Sequence, residues 1–207
     1  MIAILAAICA IPTIPGVAFN SKPNRVFVLA RPTAITLGWK LTHDAVTGLT
    51  EINGKPIPVD QPKLFDGALL LDASVLPPGR VKVEVGKPRV VVDLEDQNLI
   101  ARQGDIIVMF AKISSGRQSK DTPPGSYLSG EKESMHISSI YGSKMPFSVH
   151  LRGNYFIHGS DQTQSGPGSH GCIRLPMYND AAQWFFDWVA PGTPVKIHGK
   201  RPKHRTK

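Results

Sequence analysis

Cysteine is the scarcest chemically reactive residue in this 207-residue chain, present only as Cys9 and Cys172. Two thiols cannot build the disulfide framework of a small secreted scaffold. They form no Cys-x-x-Cys pair, and no His-x-x-x-His spacing stands beside them, so the paired-ligand pattern of a zinc site is missing. Acidic residues are also few, 16 against 24 Lys plus Arg, for a formal net charge of +8. A basic surface fits nucleic acid, an anionic membrane face or an anionic polymer. Paired zinc ligands, a basic helix with heptads and an aromatic–basic strand pair are all absent, which argues against nucleic acid.

The one long apolar run is Met1 to Ala18, ending Pro-Gly-Val-Ala. It reads as a secretory signal peptide, residues 1–18, cut after Ala18 and directing the chain to the periplasm or cell envelope. No Lys or Arg precedes its apolar core. An uncleaved anchor, a start placed too late and a buried N-terminal strand are the alternatives. The run is shorter than the roughly 20 apolar residues of a spanning helix. Cys9 lacks the preceding small residue of a lipoprotein cleavage site. With the leader removed, Cys172 is a lone thiol in an oxidising compartment, and catalysis is the plainest reason to keep it.

With 19 Gly and 18 Pro, the chain is expected to be rich in turns and mainly β. Residues 19–87 read as a small β-sandwich-like module. Its expected strands are 25–30, 34–39, 47–52, 68–71 and 80–85, with Asn53-Gly54 as a hairpin turn. His43 and Asp44 are adjacent and able to pair, or simply lie in a solvated loop. A larger unit, 88–199, follows the interruption at Gly86-Lys87-Pro88, with strands at 90–94, 98–102, 106–112 and 127–129. The runs 147–151 and 154–158 flank a tight hairpin at Arg152-Gly153. Asn179 or Asp180 is expected to cap a helix over 181–189 whose apolar face holds Ala181, Trp184, Phe185 and Trp188. The tail, 200–207, is basic and expected to be disordered, with a weak hold on an anionic wall or membrane face as one possible use. Ile137, Ile140, Tyr141 and Met145 either line the mouth of a site or pack in the core.

The chemistry concentrates in Ile157 to Leu175, I-H-G-S-D-Q-T-Q-S-G-P-G-S-H-G-C-I-R-L. His158 closes an apolar strand-like run, a Gly/Ser/Gln-rich loop follows, and Ser169-His170-Gly171-Cys172-Ile173-Arg174 ends it. A thiol with a reference pKa near 8.5 is only a few per cent thiolate near neutrality. An imidazole within reach raises that fraction and takes the proton. Both His158 and His170 qualify, since residues 170 and 172 share a face in an extended segment. Spacing does not choose between them. Zinc held by His158, His170 and Cys172 is the rival reading.

This pattern, His158-Gly159, a loop, then Ser-His-Gly-Cys, an apolar residue and Arg, resembles the signature of the L,D-transpeptidase catalytic domain family (YkuD-like, ErfK-type). The likeness covers about Arg89 to Gly199, and Thr122-Pro-Pro-Gly125 resembles a turn of the same family. The resemblance implies a β-sandwich catalytic domain with one short helix after the nucleophile. It implies Cys172 as nucleophile, His158 as base and the Gly159 carbonyl as its orienting group. Backbone N–H groups of Gly171 and Cys172 are expected at the oxyanion. His170 is expected to contact substrate or hold the loop, Ser169 to contact substrate, and Arg174 to bind a substrate carboxylate or to serve a structural end. The implied reaction joins peptidoglycan peptide stems. Cys172 attacks the bond between a third-position diaminopimelate and D-Ala, and an amine acceptor gives a 3-3 cross-link. Water or a protein lysine is an alternative acceptor. No metal or organic cofactor is implied, and a monomer is expected.

Overall fold

Short apolar runs broken by Gly and Pro set the architecture. The computed structural model describes residues 10–58, 61–163 and 166–202. The N-terminal third holds β1 (Thr13–Ala18), β2 (Val26–Leu29), α1 (Ala30–Leu37), β3 (Leu41–His43), β4 (Thr50–Ile52), β5 (Lys55–Pro56), β6 (Leu70–Asp72) and β7 (Lys82–Val85). One sheet has the order β6-β2-β1-β7 and a smaller one β3-β4-β5. Asn53 and Gly54 both take positive φ, 53° and 75°, as the two-residue turn joining β4 and β5 requires.

Three expectations for this third change. Residues 13–18, assigned to a leader ending at Ala18, are the inner strand β1, antiparallel to β2 and parallel to β7. Ile14 and Val17 are buried. Gly16, read as a small cleavage-site residue, is small for packing: a Cβ there would sit 2.9 Å from a Val83 methyl. A cut after Ala18 would remove this strand from the sheet. Residues 1–9 of the expected leader lie outside the described residues. The expected strand over 34–39 is largely helix α1. Its β-branched Thr and Ile residues mimic a strand, but Gly38 ends the helix in the left-handed region, φ 67°, with N–H groups returned to Ala34 and Ile35. His43 does not pair with Asp44. Its Nδ1 lies 2.8 Å from the Thr50 hydroxyl, and Asp44 caps the N–H groups of Val46 and Thr47.

The remaining elements are β8 (Pro88–Asp93), β9 (Asn98–Gln103), β10 (Ile106–Lys112), β11 (Gly125–Leu128), β12 (Lys132–Ile137), β13 (Lys144–Arg152), β14 (Tyr155–Ser160), β15 (Ile173–Pro176), α2 (Ala181–Trp188) and β16 (Pro194–His198). They build a five-stranded sheet, β10-β9-β8-β16-β11, and a four-stranded one, β12-β13-β14-β15. Alternation along each strand sends one set of side chains inward. Val90, Val92, Leu99 and Ala101 of the first sheet share a core with Val149, Ile157, Ile173 and Leu175 of the second. The fold is therefore mainly β, an L,D-transpeptidase-like sandwich with a short helix after the loop, as expected. Helix α2 buries Ala181, Phe185 and Trp188. Asn179 and Asp180 both take φ 54°, and Asp180 makes no side-chain cap, so the helix is held by packing rather than by the expected cap.

The break at residue 87 in the sequence is not a break in the core. Val17, Phe19, Phe27, Leu64 and Leu70 join the same apolar cluster as the sandwich. Phe19 packs edge-on against Trp184, ring centroids 5.4 Å apart. The N–H groups of Asn20 and Ser21 bond the Trp188 and Asp187 carbonyls at the end of α2, which otherwise lack helical partners. Gln103 Oε1 accepts from both the Trp188 indole and the Ala18 N–H. The start of the basic tail is also tied down: Arg201 pairs with Asp121 at 2.7 Å. Residues 203–207 lie outside the described residues.

Candidate active site

Strands β14 and β15 run parallel, with His158 opposite Arg174. Ile157 and Ile173 point into the core, so their neighbours Phe156, His158, Cys172 and Arg174 occupy the opposite face. That face floors a cleft of about 770 Å³, walled by the turn 138–143, by 119–121 and by Ser160 to Gln162. The sheet register thus brings together a thiol, an imidazole and a guanidinium from two stretches of chain.

His158 is buried, and its Nδ1 lies 2.8 Å from the Gly159 carbonyl oxygen. A carbonyl only accepts, so Nδ1 carries the proton and Nε2 keeps its lone pair. Burial holds the imidazolium form down, to a pKa of about 4, with the charges of Arg174 and His136 adding to it and the Gly159 bond opposing. Gly159 is glycine for space: a Cβ there would lie 2.4 Å from the Met177 sulfur. Burial raises the Cys172 thiol, against the Phe156 N–H and the Arg174 charge, which lower it. Both groups are therefore neutral near pH 7. The thiol donates to the Asn154 carbonyl at 3.5 Å rather than to His158. This resting state is a neutral thiol and a neutral imidazole lining one cleft, not a preformed ion pair.

A polar network holds the turn that delivers Cys172. The Ser169 hydroxyl donates to the Cys172 carbonyl at 2.5 Å and accepts the Gly171 N–H at 3.0 Å. The Thr122 hydroxyl accepts from Gly116 N–H and donates to the Gly171 carbonyl. Gly171 adopts φ 120° with Tyr155 against it, where a Cβ would come within 2.7 Å of the ring. Two expectations change here. The Gly171 N–H is spent on Ser169 and is not free for an oxyanion, whereas the Cys172 N–H has no partner among the described residues. Ser169, expected at the substrate, is buried with its hydroxyl satisfied inside the turn.

His170 points to the rim. Its Nε2 is 2.9 Å from Arg117 and its ring stacks on Tyr141, centroids 4.1 Å apart. Desolvation and the charges of Arg117, Arg174 and Lys120 keep it neutral at lower pH than usual. Tyr141 and Met145 both line the cleft, Tyr141 exposed and Met145 buried beneath. Ile137 and Ile140 are exposed, so they are not core residues. Arg174 is half-buried; its Nη1 reaches Gln162 at 3.4 Å and no carboxylate among the described residues pairs with it. No group of three or more His, Cys, Asp or Glu among the described residues is placed to hold a metal ion.

Sequence reasoning missed the carbonyl of Asn154, the Tyr155 ring, Arg117 and His136. Thr122 carried a signal, the Thr-Pro-Pro-Gly turn, but not its role as a brace for Gly171.

The chain belongs to the L,D-transpeptidase catalytic domain family (YkuD), which matches residues 87–197, more than half its length. Among solved structures it is similar to an L,D-transpeptidase from Stackebrandtia nassauensis, 26% identical with a TM-score of 0.52, over 56% of this chain and 57% of that one. It is also similar to the L,D-transpeptidase of Xylanimonas cellulosilytica, 28% identical with a TM-score of 0.50, over 56% of this chain and 62% of that one. It therefore spans under two thirds of both. An L,D-transpeptidase from Mycobacterium smegmatis, 15% identical, shares the fold over 91% of this chain and 94% of its own, with a TM-score of 0.50. No curated protein matches the chain.

Proposed function

We propose that the protein is a peptidoglycan L,D-transpeptidase of the cell envelope that works through a Cys172 acyl-enzyme. The observation that carries this reading is the Nδ1 bond of His158 to its neighbour's carbonyl, which leaves Nε2 basic on the face that bears Cys172. As the sulfur attacks the amide carbonyl between diaminopimelate and D-Ala of a tetrapeptide stem, Nε2 takes the thiol proton. Because both groups rest neutral, the transfer accompanies attack rather than preceding it. The Cys172 N–H, without a partner among the described residues, donates to the developing oxyanion. His158 then protonates the leaving D-Ala amine. A stem amine resolves the thioester and gives a 3-3 cross-link.

The test uses purified protein, a carbapenem-type acylating probe and intact-mass measurement, followed by product analysis with tetrapeptide stems. One adduct per chain is expected on the wild type and none on folded Cys172→Ala. An equal adduct on the variant would remove Cys172 as nucleophile. Stems trimmed to tripeptides without cross-links would make the enzyme a carboxypeptidase instead.

A further inference from the structure

Acylation leaves a second histidine of the cleft unused. His136 lies on β12, an edge strand of the sheet whose other edge is β15. It lines the cleft together with His158 and Cys172. Its Nδ1 is 2.8 Å from the Glu133 carboxylate, so in the neutral ring that nitrogen carries the proton and Nε2 the lone pair. Its ring stacks on Phe156, centroids 4.6 Å apart and tilted 30°. Phe156 is two residues before His158 on the same strand face. The ring is thus held on two sides, with only 24% of its side chain exposed. It is close enough to act electrostatically on His158.

The charges around the cleft differ from one end to the other. On the loop side stand Arg117, Lys120 and Arg174, and the nearby carboxylate of Asp121 is taken by Arg201. That rim repels an ammonium group. On the β12 side Glu133 supplies a carboxylate beside His136. Asp161 lies at the other end, after β14 and next to the Gln162 that Arg174 reaches. Lys144, opposite Ile137, lines the cleft at the outer end, and like Glu133 it is exposed and screened by solvent and salt.

We propose that His136, oriented by Glu133, receives the proton of the incoming amine when the Cys172 acyl-enzyme is resolved, so that the acyl acceptor enters over β12. This rests on the acyl-enzyme reading above. The neutral amine nitrogen forms a bond to the thioester carbon, and the carbonyl π pair moves to oxygen. One amine proton passes to His136 Nε2. The intermediate collapses, the C–S bond breaks, and the departing Cys172 sulfur is reprotonated from the imidazolium. Thioester and amine become amide and thiol. His158 serves the leaving D-Ala, His136 the arriving amine. Glu133 is a positioning residue: it attracts the ammonium form, which loses one proton to solvent before attack, and it fixes the tautomer.

The test separates the two half-reactions on full-length protein. Acylation of Cys172 by a tetrapeptide stem is followed by quench and intact mass; resolution is followed with a primary amine and water as competing acceptors. His136→Gln is expected to keep the acylation rate within about 2-fold while amine transfer falls roughly 10²-fold, the scale of a positioned base. The amide-to-acid product ratio falls with it. Glu133→Gln is expected to raise the KM for the amine and leave acylation alone. Added imidazole is expected to restore amine transfer in His136→Ala, which a merely structural role would not allow. Unchanged amine transfer in His136→Gln, or a parallel fall in acylation, overturns the proposal. Absence of any acyl-enzyme on the wild type instead overturns the function on which it rests.

Discussion

The two walls that hold His158 and Cys172 are ordered by different means. His158 belongs to an inner strand, is nearly sealed from solvent, and has its ring set by the carbonyl of the next residue. Cys172 sits at the exit of a turn whose shape comes from Ser169, Thr122 and the Tyr155 ring. On the first wall backbone pairing fixes the imidazole. On the second a set of side-chain bonds fixes the thiol, and each bond is separately breakable. The comparison teaches that one cleft can combine a histidine immobilised by the sheet with a cysteine whose placement depends on a few local contacts.

The largest test of that contrast is a pair of substitutions. His158→Ala is expected to slow Cys172 acylation by roughly 10²–10⁴-fold, the usual contribution of a positioned acid–base group. His170→Ala, which loses only the Arg117 bond and the Tyr141 stack, is expected to change it less than about 10-fold. Single-turnover mass spectrometry reads both. The reverse order would assign the base to the loop wall and sink the contrast.

The strand wall also makes a statement about pH. The folded pKa of His158 is depressed, from an ordinary 6.5 to about 4. Between those values the unfolded chain binds the proton and the folded chain does not, so stability rises with pH there. The contribution is present above about pH 6.5 and is lost as pH falls towards 4. From the 2.5-unit difference it amounts to roughly 3 kcal/mol. Urea titrations at pH 7 and pH 4.5 are expected to differ less for His158→Gln than for the wild type. Equal differences would mean that His158 titrates as an ordinary solvent-exposed residue.

A smaller effect is expected on the loop wall. Gly171→Ala forces a Cβ into the Tyr155 ring at a backbone angle that side chains rarely adopt. A loss of about 1–3 kcal/mol is expected, the usual scale of such strain, visible as a lower urea midpoint. Gly171→Ala in a Tyr155→Ala background is expected to recover part of it, because the steric component has gone. No recovery would place the whole effect in the φ angle.

The legible part of the fold was the part with strong local signals. The hairpin over Phe147 to His158 and the apolar face of α2 followed from alternation and helical period. The α1 segment was misread because Thr33, Ile35 and Thr36 favour strands locally, while the buried Ala30 and Ala34 and the Gly38 terminus select a helix. β1 was not legible as a strand, because an apolar strand and a signal peptide have the same composition; its partner β7 lies about 70 residues away in sequence. His136 gave no sign of its place, since what brings it to Phe156 is the pairing of β12 with β13.

The sequence by itself determined the chemistry available: one thiol and two histidines in Ile157 to Leu175, with glycines at 159 and 171 where a side chain would not fit. Those are local properties, carried by residue type and order. Only the tertiary structure decided which nitrogen of His158 is basic, that Gly171 spends its N–H on Ser169, and that the N-terminal module shares the core of the sandwich. The reason is physical. Hydrogen-bond partners and burial are set by strands that meet across long stretches of chain, and no local pattern records which strands those are.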